Sequence, residues 1–389
     1  MKKIYKFTLL IISLFFFVNA FAQDANFSQF YLKEMYYNPA FIGINPGLRG
    51  TVTDRHLWTN VPGEWGTQSI AVDFYDQKFA QGGLGGIVTR TSQGENFINT
   101  FTGGIGYAKQ LRFTPDFLMQ IGGQVTYIQK SLDYSSLTFV DEFDPRFGRI
   151  YETEFVSPLD DGKYRVGTFD FSAGLVGRFN IRKSPVRYIA ANTIGVAFHH
   201  LSQPDVSWLG NDESARLPMK MDVHVTSSFR FDRKGYYNKY FLLTPGFLYE
   251  NQTPTHAWFK GTEVGFQTIS FGLNAVIPTK TSLMSSLQAG LWARKMYTKK
   301  ETLGDVMNSL RNKTFDSMIF TLGYVKYSRD NKRSYQILYS YDMTISQAGL
   351  GTGGTHEITL SFEIHDLALP NSKHLPAAIP HPNDRFSRY

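Results

Sequence analysis

From Met219 to Phe231 the chain alternates in character. Met219, Met221, Val223, Val225, Phe229 and Phe231 are apolar, and Lys220, Asp222, His224, Thr226 and Arg230 lie between them. Successive side chains of a strand point to opposite faces, so this stretch predicts a strand with one apolar and one charged face. The pattern recurs. Ile358, Leu360, Phe362 and Ile364 alternate with Glu357, Thr359, Ser361 and Glu363. Tyr335, Ile337, Tyr339, Tyr341, Met343 and Ile345 alternate with Gln336, Ser340, Asp342 and Thr344, and Ile70, Val72 and Phe74 with Ser69, Ala71 and Asp73. Strands of soluble sandwiches run about 5–6 residues. These segments run roughly 10–14, which matches a tilted membrane strand of about 9–11 residues plus its rims.

The pattern therefore predicts an all-β chain, a transmembrane antiparallel up-and-down β-barrel of about 14 strands. The expected strands cover 47–58, 65–75, 82–92, 97–109, 115–130, 166–180, 186–201, 218–231, 239–250, 256–277, 282–296, 316–329, 333–345 and 354–364. The tenth is long and slips phase near Phe266 to Ile269, which predicts a β-bulge or a hidden turn. The longest connections, 131–165, 202–217 and 297–315, are the fifth, seventh and eleventh, whereas the even ones are short. Barrels of this type place short turns in the periplasm and long loops outside, so both termini are expected in the periplasm.

Outside the alternation lie two ends. Residues 1–22 combine a basic start (Lys2, Lys3, Lys6), an apolar run from Phe7 to Val18 and Ala20-Phe21-Ala22, which predicts a cleaved signal peptide. The run is about 12 residues, short of the ~20 that a spanning helix needs. Residues 23–46 then form an N-terminal periplasmic or plug-like segment, expected to dock at or inside the periplasmic barrel mouth, 47–364 the barrel, and 365–389 a tail whose Pro370, Pro376, Pro380 and Pro382 predict an extended periplasmic segment. Asn38-Pro39 is a turn signal within the first of these.

Composition sharpens the picture. The chain carries 33 Phe, 22 Tyr and 34 Gly among 389 residues and no cysteine. An exported chain without disulfides depends on strand pairing and burial alone. Of 40 basic residues three belong to the signal, leaving 37 against 33 acidic ones, too small an excess to indicate nucleic acid.

Catalytic chemistry is not legible. His199-His200 would face opposite sides of a strand and so would not chelate one metal. No G-x-S-x-G motif occurs. Gly82 to Gly86 lacks the lysine and helix of a phosphate loop, and glycine on a barrel strand more often permits curvature or close packing. The acidic stretch 141–161 lacks the spacing of a calcium loop and contains Arg146 and Arg149. The expectation is a protein that is not an enzyme and binds no cofactor or metal, with a polar lumen that something must occupy.

One stretch is more specific. Gln23-Asp24-Ala25-Asn26-Phe27-Ser28-Gln29-Phe30 followed by Tyr36-Tyr37-Asn38-Pro39-Ala40-Phe41-Ile42-Gly43 resembles the start of the PorP/SprF family, Bacteroidota outer-membrane proteins of type IX secretion and gliding motility. Arg55, Trp58 and Pro62-Gly63 resemble the family's next strand and turn. Tyr339-Ser340-Tyr341-Asp342 and Thr355-His356-Glu357-Ile358 resemble features near its end. The resemblance implies an integral outer-membrane protein in contact with lipid, with type IX secretion and gliding components, and with a large cell-surface adhesin bearing a C-terminal sorting domain. It also implies docking roles for Phe27, Ser28, Gln29, Tyr36, Tyr37, Asn38, Pro39, Ala40, Phe41, Trp58, Tyr341, Asp342, His356 and Glu357. From the strands and polar lumen alone, the alternative is a porin or substrate-specific channel.

Overall fold

Strands with one apolar face can bury it only against another layer or against lipid. In the computed structural model the strands close on themselves with their apolar faces outward. It describes residues 24–364 except 46, 64, 77–81, 95–96, 115, 134–139, 145, 151–162, 182–189, 209–215, 233–239, 253–265, 280–284, 299–314, 329–331 and 347–348. The expected signal peptide and tail lie outside the described residues. Fourteen antiparallel strands close into one barrel in sequence order. They are β1 (Leu48–Leu57), β2 (Gly66–Asp76), β3 (Gly82–Gln93), β4 (Ile98–Thr114), β5 (Phe117–Asp133), β8 (Lys163–Ile181), β9 (Ala190–His199), β10 (Lys220–Asp232), β11 (Tyr240–Gln252), β12 (Phe266–Pro278), β13 (Ser285–Thr298), β14 (Ser317–Tyr327), β15 (Arg333–Thr344) and β16 (Thr355–Ile364). Two short strands, β6 (Phe143–Asp144) and β7 (Gly148–Arg149), pair with each other in the β5–β8 connection. The seam is closed by β1 on β16, with Arg55 directly opposite Glu357.

The alternation sorts as expected. Ile70, Val88, Ile105, Phe169, Leu322 and Leu360 are exposed on the outer face. An outer face so rich in large apolar side chains is the pattern of a membrane β-barrel. Their inward neighbours Thr51, Thr53, Ser69, Asp73, Thr89, Thr359 and Ser361 are buried and polar. β12 begins at Phe266 and its register with β11 and β13 runs without a shift, so the expected bulge is absent from Phe266 onward, and residues 256–265 of the expected tenth strand lie outside the described residues. The register shift lies instead between Arg112 and Thr114 of β4.

Candidate functional site

A fourteen-strand lumen is too wide for its own side chains to fill. Residues 24–45 fill it. They form a 3-10 turn (Phe30–Leu32), one α-helical turn (Glu34–Tyr37) and a second 3-10 turn (Pro39–Phe41). Proline disfavours helix at the residue before it, and Asn38 is extended at φ −156°, ψ 114°. Its Oδ1 accepts from the Ala40 amide at 2.8 Å, capping the turn that Pro39 opens. Its Nδ2 donates to the Leu175 and Val196 carbonyls, each at 3.2 Å. One asparagine thus shapes the plug and fastens it to β8 and β9.

Where the turn meets the wall, the wall is glycine. A Cβ on Gly122 would lie 2.4 Å from the Pro39 carbonyl oxygen, one on Gly174 2.0 Å from Asn38 Oδ1, one on Gly83 1.9 Å from the Ile42 oxygen, and one on Gly106 2.4 Å from the Ile42 side chain. Four strands, β3, β4, β5 and β8, therefore share a groove cut for Asn38 to Gly43. Gly43 itself needs its glycine, with φ +61° and Gly83 Cα 2.4 Å from where a Cβ would stand.

The opposite flank is held by charge. Glu357 is fully buried; its Oε2 accepts from the Ser28 amide at 2.7 Å and its Oε1 from the Gln29 amide at 3.2 Å. Arg55 Nη1 donates to Glu357 Oε2 at 3.0 Å and to Ser28 Oγ. Ser28 Oγ donates to Asp342 Oδ2 at 2.6 Å. Arg294 bridges Asp342 (3.3 Å) and the Phe27 carbonyl (3.0 Å). Gln29 Nε2 donates to the Glu357 carbonyl at 3.0 Å and Ser340 Oγ at 3.2 Å. A second network joins Lys220 to Asp222 (3.3 Å) and Glu250 (3.1 Å), with the ammonium 5.2 Å from the Tyr37 ring centre. Arg49 ties Glu34 to Asp73, whose carboxylate also accepts from the Gly43 amide at 2.7 Å.

The two adjacent histidines were expected to face opposite sides. Both are buried against the plug, because His200 follows the last residue of β9 in the left-handed region (φ 56°) and leaves the alternation. His199 donates to the Tyr37 carbonyl at 3.0 Å. His200 sits between Asp24 (2.9 Å) and Asp170 (2.8 Å). Burial disfavours its charge, but these carboxylates prevail and hold its pKa up to about 10; in turn, Asp24, though partly buried, is held by His200 well below the usual carboxylate range.

The middle of the plug is apolar. Phe27, Phe30 and Tyr37 form a cluster with Leu248, Trp292 and Ile319 of the wall. Tyr31 stacks on Trp292 with ring centres 5.1 Å apart. Phe27 meets the edge of Tyr36, whose hydroxyl donates to the Ala25 carbonyl at 2.7 Å. Phe41 lies against His224, ring centres 4.8 Å apart. A cavity of about 40 Å³ remains between the plug and β10–β13, lined by Phe30, Tyr31, Phe41, His224, Asn274 and Trp292 among others.

Of the residues singled out from sequence, the plug brings together Phe27, Ser28, Gln29, Tyr36, Tyr37, Asn38, Pro39, Ala40 and Phe41 with Asp342 and Glu357. Three stand apart. Trp58 follows β1 in the left-handed region (φ 51°), its ring 6.1 Å from Trp65. Tyr341 and His356 lie on the outer face, ring centres 5.1 Å apart. Parity could have separated them, since each is one residue from an inward carboxylate. Sequence reasoning missed Arg294, Trp292, His199, His200 and the glycine groove as plug contacts. The plug-like segment crosses the lumen, because buried polar partners and glycines continue along the wall. Among the described residues no cluster of three or more metal-ligating side chains occurs.

A closed antiparallel barrel with an apolar outer band and a polar lumen is a membrane β-barrel of the outer-membrane class. The model of the type IX secretion system membrane protein PorP/SprF matches residues 19–362, and the chain belongs to that family. No curated protein matches its sequence. Among solved structures it is similar to the Pseudomonas putida toluene transporter TodX (8% identity, 89% of this chain and 96% of that one, TM-score 0.42) and to a Pseudomonas aeruginosa FadL homologue (12% identity, 84% and 92%, TM-score 0.40).

Proposed function

We propose that this barrel is an outer-membrane component of the type IX secretion and gliding machinery that helps export or anchor a large cell-surface adhesin through its C-terminal sorting domain. The observation that carries this reading is the filled lumen in a chain of this family. A barrel occupied by its own first residues is not an open conduit, so its working surfaces are its two ends. β5, β9, β11 and β13 all end at one mouth, where the long connections start. In our reading that mouth faces outward and grips the sorting domain. The short turns and residues 365–389 face the periplasm and the motor components. Deleting the gene should abolish surface display of one adhesin and spare general secretion, and the tagged barrel from gently solubilised membranes should bring down that adhesin. Normal display in the deletion strain overturns the reading. The cavity beside Trp292 favours a second one, a substrate-specific channel along the plug; steady conductance of the intact protein in planar bilayers would support it.

A further inference from the structure

The geometry points to a plug threaded with its amino-terminal end, Asp24 to Asn26, at the long-loop mouth. Each end of an antiparallel strand belongs to one mouth, so hydrogen bonds from the plug to the wall give its height. At the start of the plug, the Asp24 amide donates to Gln252 Oε1 at 3.1 Å, its carboxylate pairs with His200 at 2.9 Å, and Asn26 Nδ2 donates to Glu250 Oε2 at 3.0 Å. Gln252 ends β11 and His200 follows the end of β9, so all three contacts lie where the chain enters the long connections. At the end of the plug, the Gly43 amide donates to Asp73 at 2.7 Å and the Ile42 carbonyl accepts from Gln120 at 2.7 Å. Asp73 is close to the last residue of β2 and Gln120 close to the first of β5, both at the short-turn mouth. The chain then enters β1 at Leu48, opposite Phe74 and Ile364, at that same mouth. Between Asp24 and Gly43 it has crossed the lumen.

The upper end is built, not loose. Asp170, the other partner of His200, also accepts from Ser202 Oγ at 2.8 Å. Val206 and Leu217 of the β9–β10 connection pack on Ile128 of the inner wall, and Lys130 lies 5.8 Å from the Trp208 ring centre. This connection caps part of the mouth, and the Asp24 side chain remains 24% exposed beside it. The Asp24 end and the cap thus make one composite face.

That this face is outside the cell rests on the orientation proposed above; the threading does not. An epitope inserted between Gln23 and Asp24 is compared with the same epitope inserted between Asn308 and Ser309 (β13–β14 connection) and between Lys78 and Phe79 (β2–β3 turn), each in full-length protein on intact and permeabilised cells. The threading requires the first insertion to behave as the β13–β14 marker, labelled on the same side. Behaviour like the β2–β3 marker overturns it. If the two markers exchange sides, the orientation is wrong while the threading is still read from which marker the amino-terminal tag follows. Should the insertions hinder assembly, the cysteine-free chain allows a second reading. With Asn26→Cys and Glu250→Cys, a short bis-maleimide should give one internally bridged species in the purified barrel, and Asn26→Cys with Asp73→Cys none. The reverse pattern overturns the proposal.

Discussion

Glu357 concentrates much of the plug's attachment in one side chain. Its oxygens accept from two plug amides and from Arg55, and its position is fully buried. Removing one member of a buried pair leaves the other charge without its partner, at a cost of about 3–5 kcal/mol. Glu357→Ala should therefore lower the unfolding midpoint and expose the plug to protease, read by urea titration and digestion of the purified barrel. His200 adds a pH dependence. Its folded pKa, about 10, stands above the unfolded value of about 6.5. The stabilisation is thus fully present below about pH 6.5 and is lost as pH rises through about 10. His200→Gln isolates this effect: the difference in unfolding midpoint between wild type and variant should shrink steadily from pH 6.5 to 10. A constant difference would mean that the Asp24–His200–Asp170 contact contributes nothing through charge.

At the scale of elements, the glycines explain which strands face which part of the plug. A strand needs no glycine for curvature at every turn of the wall, yet Gly83, Gly106, Gly122 and Gly174 lie where a Cβ would meet the plug. Gly122→Val should push the Asn38–Ala40 turn away while β5 keeps its pairing, and limited proteolysis should then cut within residues 24–45 of a barrel that still resists heat in detergent. Gly86→Ala is the control, since its nearest new contact is 3.5 Å. Protection unchanged in Gly122→Val would show that the groove is not what seats the turn. The charged flank has a related logic. Arg55 is on the first barrel strand, Glu357 on the last and Asp342 on the one before it. Ser28 and Gln29 bind all three, so the plug fastens the seam where the barrel closes.

For the whole molecule, the filled lumen predicts a closed state. Deleting residues 24–42 should convert a barrel of low conductance into a large open channel in planar bilayers, whereas equal conductance of the two forms would mean that the plug does not seal it. How much of this was legible follows from what a sequence encodes locally. Period-two alternation marks strands because each residue's face depends only on its parity, so the class, the fourteen strands and the inward placing of Asp342 and Glu357 could be read directly. His200 misled because parity ends with the strand, and its positive φ is set by the turn that follows. The glycine groove and the plug's path through the lumen were not readable, since they join residues far apart in the chain, Asn38 with Leu175 and Val196 or Ser28 with Glu357, whose meeting depends on barrel closure. The sequence by itself determined a membrane-type barrel with its apolar face outward and a distinct segment before the first strand. Only the tertiary structure decided that this segment fills the lumen and in which direction it runs, because buried charges find their partners only once fourteen strands have brought opposite walls together.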